Sequence, residues 1–432
     1  MIWACAYINQ QLDMKRFLMI LAAVMFVAVG CDNSKEQYDP DKNKPEVDNN
    51  GDNGNNGGNG GNNGDNGGDG GTEENAAPWA ALADSCTTVL IDNFLNKDTG
   101  TFWSTPNDVK GETTYIYWQQ AHAMDVIIYS YKRVKKTNPE LAKKYLGYMR
   151  KWVANDANNY NNTYDNVGDY GGFFNDFTDD MCWICLTLIH MSKATGEMNY
   201  LQIAKDVYDN YIWPRAVTDA KGTGLPWKGS DRNPNSRNAC TNAPGCLVAA
   251  LLYNEYKGDY LDKAVTLYNY CIANMPDEER VEEPPLTYTQ GTFGEACRQL
   301  YKITKEQKYM TKAGQVLLYA FQSNRCTNTE MRVLRHEGES MDQSLFKAVL
   351  IPYAVNYILD ENAAPYTSRV LKELVYNNAQ VLSKNLNRKL YPRMYAGYFW
   401  GEPFKGTVAS MGAQTSGASL MEGAARLEAA EK

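Results

Sequence analysis

The chain has 432 residues, with 43 Lys and Arg against 51 Asp and Glu and a formal net charge of −8. It carries no basic stripe, which excludes nucleic acid as an expected partner. Its three histidines, His122, His190 and His336, share no metal-ligand spacing, so no zinc site is expected.

Met14-Lys15-Arg16 precedes a continuous apolar run from Phe17 to Val29, followed by Gly30-Cys31. A basic start, an apolar stretch too short for a permanent span and a small residue before a cleavage point read as a secretory signal. Met14 is the expected initiator. The segment Ala28-Val29-Gly30-Cys31 resembles a bacterial lipobox, which implies cleavage before Cys31 and lipid on its sulfur. Residues 1–30 are therefore expected to be a signal region that exports the protein to a lipid anchorage on the bacterial outer membrane, on its periplasmic or cell-surface face. Residues 31–74 turn polar and then almost wholly Gly, Asn and Asp. Such a stretch buries too little apolar surface to offset its ordering entropy and reads as a flexible tether.

The body spans 75–432. The chain's 30 Tyr and 9 Trp suit sugar stacking and a thick core equally. Cys182-Trp183-Ile184-Cys185 has CxxC spacing, but it lies in an apolar helical run with no second pair, so two buried side chains are expected rather than a redox or zinc site.

Three segments share a pattern. Tyr200-Leu201 leads to Ala204, Tyr260-Leu261 to Ala264 and Tyr309-Met310 to Ala313, each after a short polar turn that follows an apolar helical run. This is a helix–turn–helix unit recurring at intervals of roughly 50–60 residues. Extended along the body, it predicts about twelve helices, over 79–94, 118–132, 139–154, 179–193, 200–211, 242–256, 260–274, 289–303, 308–320, 343–359, 368–382 and 414–429. With no period-two alternation, the fold class is all-α. Six hairpins would close as an (α/α)6 barrel; an open solenoid is the alternative. The even-numbered helices begin at chemically busy segments and follow long connections, which assigns them to the inner ring with their N-termini on one rim.

One of those starts is Asn175-Asp176-Phe177-Thr178-Asp179-Asp180-Met181-Cys182-Trp183. Neighbouring carboxylates rarely both ionise, so one tends to hold a proton near neutral pH. A protonated carboxyl beside an ionised one is the apparatus of glycosidic bond cleavage. Asp-Asp at a helix start also serves as an N-cap and first-turn acid.

The chain resembles glycoside hydrolase family 76, the endo-α-1,6-mannanases. The resemblance rests on Asp179-Asp180-Met181-Cys182-Trp183, Tyr117-Trp118-Gln119-Gln120-Ala121, Arg237-Asn238-Ala239-Cys240-Thr241-Asn242, Tyr288-Thr289-Gln290-Gly291-Thr292-Phe293, Leu345-Phe346-Lys347-Ala348 and Gln414-Thr415-Ser416, in this order. It implies an (α/α)6 barrel that cleaves α-1,6-mannoside bonds with retention, with Asp179 as nucleophile and Asp180 as general acid/base. Ala348 stands where the family usually has glycine. Pro352 sits in the helix after it, and Pro244 closely follows Asn242.

The expectation is thus an endo-acting α-mannan hydrolase, monomeric, bound to the membrane through its lipid and needing no cofactor, because the chemistry is acid–base and nucleophilic. Gln120, Asn238, Asn242, Gln290 and Asp342 are expected to bond sugar hydroxyls. Trp118, Trp227 and Phe293 are expected to stack on sugar rings. The competing readings are helix caps for the amides and core packing for the aromatics. Two other functions fit the same features: a non-catalytic glycan-binding lipoprotein, and another (α/α)6 enzyme. Among the latter, a uronide hydrolase would want the cations Arg237 and Lys347 in its cleft.

Overall fold

The computed structural model describes residues 79–109, 117–159, 173–230 and 236–431. The expected signal region, Cys31 and the expected tether lie outside the described residues. No helix among those described is long and apolar enough to cross a membrane.

Twelve α-helices run through the described residues. They are α1 (Trp79–Phe94), α2 (Trp118–Val134), α3 (Pro139–Asn159), α4 (Thr178–Thr195), α5 (Met198–Val207), α6 (Ala239–Tyr256), α7 (Tyr260–Asn274), α8 (Thr287–Thr304), α9 (Gln307–Gln322), α10 (Met341–Ile358), α11 (Pro365–Asn385) and α12 (Met411–Glu431). Two short antiparallel hairpins lie in the connections, β1 (Val217–Asp219) with β2 (Gly222–Gly224) and β3 (Thr327–Asn328) with β4 (Val333–Leu334).

The even-numbered helices form a closed inner ring: α2 packs on α4, then α6, α8, α10 and α12 follow, and α12 returns to α2. Burial divides the two sets. Every residue of α6 from Ala239 to Leu252 is buried, as is every residue of α8 from Thr287 to Leu300. By contrast α9 buries one stripe, Tyr309, Met310, Ala313, Val316, Leu317 and Ala320, which is the 3.6-residue periodicity of a helix with one face to water. Inner helices approach closely where a side chain is missing: a Cβ at Gly291 would lie 2.7 Å from the Leu350 Cα. The ring is completed by the two ends of the body, because α1 packs chiefly on α12 rather than on α2. The expected all-α (α/α)6 barrel is what the chain forms.

Several inner helices begin earlier than the sequence pattern suggests: α6 at Ala239 rather than Asn242, α8 at Thr287 rather than Thr289, and α12 at Met411 rather than Gln414. The reason is shared. Asn242, Gln290 and Gln414 are first-turn residues whose amides reach out of the helix to hold an extended segment of the preceding connection. The Asn242 Oδ1 accepts the Leu225 N–H at 2.7 Å and its Nδ2 donates to the Leu225 carbonyl at 3.0 Å. The Gln290 Oε1 accepts the Val281 N–H at 2.6 Å, and its Nε2 donates to the carbonyls of Glu279 and Val316, each at 2.9 Å. The Gln414 Oε1 accepts the Ala396 N–H at 3.0 Å and its Nε2 donates to the Cys86 carbonyl at 3.1 Å. Gln120, in α2, grips Phe102 in the same way, accepting its N–H at 2.7 Å and donating to its carbonyl at 2.8 Å. An amide offers the donor and acceptor that an extended backbone needs, and buried backbone groups must find such partners.

Gln290→Leu strands two loop backbone groups at once, the Val281 N–H and the Glu279 carbonyl. Removing one partner of a buried hydrogen bond costs more than the bond is worth. The expected loss of stability in denaturant unfolding is about 2–4 kcal/mol; a loss below about 1 kcal/mol would contradict the clamping role.

Candidate active site

The approach to α4 is fixed before its carboxylates are placed. Arg215, just after α5, donates to the carbonyls of Asp176 at 2.8 Å and Asn175 at 2.9 Å, and to the Thr178 hydroxyl at 3.2 Å. The segment after β2 runs alongside: the Thr178 N–H donates to the Trp227 carbonyl and the Gly229 N–H to the Asp176 carbonyl, both at 2.8 Å. Ser230 donates its N–H and hydroxyl to the Asp176 carboxylate at 2.9 and 2.7 Å. These bonds carry Trp227, 48 residues downstream of Asp179, onto that carboxylate, where its indole N–H meets Oδ2 at 3.1 Å.

Asp179 and Asp180 both line a cleft of about 380 Å³ at the N-terminal rim of the inner ring. The Asp179 Oδ1 accepts the Asp180 N–H at 3.1 Å, and the Cys240 thiol lies 3.9 Å from its Oδ2. The Asp180 Oδ2 accepts from the Asn175 amide at 3.2 Å. Asp342, in the first turn of α10, accepts from the Trp118 indole at 3.0 Å and from the Gln119 amide.

Burial raises all three acids, because desolvation disfavours the charged form. Asp179 is pushed up to about 7, with its N–H donors and the Trp227 indole pulling the other way. Asp180 is pushed well above the ordinary carboxylate range by burial and then by the charges of Asp179 and Asp342. Asp342 is raised by burial and held back by Gln119 and Trp118. Backbone N–H groups and the Trp227 indole therefore favour the anion at Asp179 over that at Asp180.

Aromatic rings build the rest of the cleft. Tyr288 stacks on Phe346 with centroids 4.3 Å apart, and Trp118 stacks on Phe346 at 6.2 Å. Trp183 abuts both Trp118 and Tyr288, at 6.2 and 6.0 Å. On the other side Trp227 meets Phe177 edge-on at 4.9 Å. Flat apolar faces beside carboxylates and amides suit a sugar, which presents C–H faces and hydroxyl edges.

Of the residues expected from the sequence, Asp179, Asp180, Trp118, Trp227, Asn238 and Asp342 line this cleft. Asn238 also caps α6, accepting the Thr241 N–H at 3.0 Å. Gln120, Asn242 and Gln290 do not reach it, since their amides are engaged on loop backbone. Phe293 lies beneath the rim, wholly buried and stacked on Tyr268 at 5.7 Å. Lys347 is buried too, donating to the Tyr398 carbonyl at 2.6 Å beside the Trp400 ring. The Arg237 guanidinium holds the carbonyls of Val217 and Gly222 in the β1–β2 hairpin. Neither cation is available to a uronide.

Gln119, Trp183, Tyr288, Phe346 and Cys240 also line the cleft without having been singled out. Trp183 was legible, because it stands four residues after Asp179 on the same helix face. Gln119 differs from Gln120 by one position, about 100° around the helix, and the sequence did not show which of the two faces inward.

Among the described residues no group of three or more His, Cys, Asp or Glu is placed to hold a metal ion. The eight cysteines of the described residues are free and buried, and the Cys185 thiol donates to the Ala204 carbonyl at 3.5 Å.

Comparison with solved structures gives the same barrel. The α-1,6-mannanase of Salegentibacter sp. HEL1_6 is 25% identical, with a TM-score of 0.68 over 80% of this chain and 99% of that one. An inactive variant of that mannanase, two consecutive aspartates replaced by alanine, was solved in complex with α-1,6-mannotetrose; it is 24% identical, with a TM-score of 0.69 over 81% of this chain and 99% of that one. The Lin0763 protein of Listeria innocua is 25% identical, with a TM-score of 0.68 over 82% and 98%. No curated protein sequence matches the chain. Glycosyl hydrolase family 76 matches residues 79–431, essentially the whole barrel, and the chain belongs to that family.

Proposed function

We propose that this glycoside hydrolase cleaves α-1,6-mannosidic bonds inside mannan chains, with retention, using Asp179 as nucleophile and Asp180 as acid and base. The observation that carries this reading is the consecutive carboxylate pair in an aromatic cleft, with the proton favoured on Asp180. The Salegentibacter mannanase loses activity when two consecutive aspartates are replaced, and Asp179-Asp180 is the one Asp-Asp dipeptide in this chain.

Asp180 gives its proton to the glycosidic oxygen as the bond from C1 to that oxygen breaks. The Asp179 carboxylate adds to C1 from the opposite face and forms a glycosyl ester. Asp180, now ionised, takes a proton from water; the resulting oxygen attacks C1 and displaces Asp179. Trp227 orients the Asp179 carboxylate throughout. The aromatic wall, Gln119, Asn238 and Asp342 serve as sugar contacts. The site is an open cleft rather than a closed pocket, which supports attack within a chain. The sequence supports action from a lipid anchor at Cys31.

With unbranched α-1,6-mannan, chromatography is expected to show oligosaccharides of mixed length from the earliest times. Mannose as the sole early product would overturn internal cleavage. Asp179→Asn is expected to lower kcat by about 10⁴-fold or more and Asp180→Asn by about 10²–10⁴-fold. Full activity in either would overturn the mechanism.

The pH profile follows from the two raised acids. As pH rises through about 7, kcat/KM is expected to increase while Asp179 ionises. It then falls at higher pH as Asp180 loses its proton. As the pair interacts, the two limbs report the pair rather than single residues.

The same shift has a consequence for stability. The folded pKa of Asp180 lies above its unfolded value, so ionisation destabilises the native state as pH rises. Asp180→Asn is expected to raise the melting temperature at pH 8. The gain should vanish below about pH 4, where the acid is protonated in both states.

A further inference from the structure

The C-terminal ends of the same six helices surround a second opening, roughly 20 Å along α4 from Asp180 to Lys193 at 1.5 Å per residue. A cavity of about 250 Å³ there is lined by residues of every inner helix, among them Lys132, Lys193, Arg298, Lys302 and Arg426. Cations in the last turn complement a helix dipole. That accounts for Lys132, Lys193 and Lys302, in the last turns of α2, α4 and α8; Arg298 and Arg426 stand further inside α8 and α12 and face the same cavity.

The nearby carboxylates leave most of them unpaired. Arg298 is itself neutralised, by Glu295 at 2.7 and 2.8 Å and by Asp360 at 2.7 Å, and Gln299 also donates to Glu295 at 2.8 Å. Glu422, in the adjoining hollow, is held by Arg133 at 2.9 and 2.8 Å. Asp125 lies between His122 and His190. Glu255 adds one charge near Lys193. Lys132, Lys193 and Lys302 make no hydrogen bond or ion pair with another described residue, and Arg426 bonds only the Asn356 amide, at 2.7 Å. Desolvation of their inner ends lowers the pKa of Lys132, Lys193 and Arg426; repulsion from Arg426, Lys135 and Lys193 adds to it at Lys132, whereas Glu295 opposes it at Lys193 and Arg426. The cluster is a concave group of cations, four of them solvent-exposed and without an ion pair among the described residues, near helix ends remote from the hydrolytic cleft.

We propose that this opening binds a phosphate group, free or carried as a lipid headgroup, with Lys132, Lys193, Lys302 and Arg426 as its ligands. A phosphate supplies negative charge, one unit in a diester headgroup and up to two in the free ion, and several acceptor oxygens, and Lys and Arg donors arranged around a cavity match it. The chain enters the barrel at this same end: Trp79, the first residue of α1, stacks at 6.1 Å on Tyr376, whose hydroxyl bonds Glu431 at the end of α12. A headgroup bound here would leave the cleft facing away from the membrane.

The test is calorimetric titration of the full chain with inorganic phosphate, against sodium chloride at matched ionic strength, in the native protein and a Lys132→Gln/Lys193→Gln variant. Saturable binding weakened at least about tenfold in the variant supports a free phosphate. Sedimentation with phosphatidylglycerol vesicles but not phosphatidylcholine ones, abolished in the variant and without affinity for inorganic phosphate, supports the headgroup. No binding in either arm, or binding unchanged in the variant, overturns the site. Mannan cleavage by the variant is expected to be unchanged, so this result is independent of the hydrolytic reading.

Discussion

The rim of this barrel depends on an amide that binds backbone. Long connections precede the inner helices, and their extended segments lie against the barrel where water cannot serve every N–H and carbonyl. Gln120, Asn242, Gln290 and Gln414 meet that need, each from the first turn of an inner helix. The contact spans 18 residues from Gln120 to Phe102 and 328 from Gln414 to Cys86. Local connections and the two ends of the body are thus held by one kind of bond. The Asn242 clamp on Leu225 has a direct consequence for chemistry. It anchors the segment that carries Trp227 to Asp179, so the geometry of the acid pair depends on an amide that never touches it.

The carboxylates gain their chemistry from a conflict between burial and charge. Asp179, Asp180 and Asp342 share a cleft walled by Trp118, Trp183, Tyr288 and Phe346. Desolvation raises all three, yet the donors are unequally distributed. Asp179 receives an indole and a backbone N–H, whereas Asp180 receives one amide and the repulsion of its neighbours. This inequality, rather than the dipeptide, separates an anion from an acid. The arrangement stores unfavourable electrostatics at the site.

Parallel packing of the inner helices gives the barrel two unlike ends. N-terminal N–H groups and acids gather at one, and C-terminal carbonyls and cations at the other. The acids lie in an aromatic cleft suited to sugar, while the cations surround a smaller cavity. Both ends follow from a single topological fact, that every long connection enters the inner ring on the same side.

The sequence determined the helices and their division into inner and outer sets, and it singled out the Asp179-Asp180 pair that the cleft brings together. These are local properties: an apolar stripe, a polar turn and a dipeptide can be read within one or two helical turns. It also directed attention to the first turns of the inner helices, but not to what each residue there does. Gln120, Asn242 and Gln290 bear the same groups that would bond a sugar hydroxyl, and only the path of a distant loop turns them to backbone. Phe293 and Phe346 are alike in sequence terms, yet one is buried on Tyr268 beneath the rim and the other forms part of the cleft wall. The tertiary structure decided these cases, along with the pairing of α1 with α12 and the protonation order of the two aspartates. Each depends on which remote groups share a volume, and a one-dimensional pattern specifies the groups without specifying the volume.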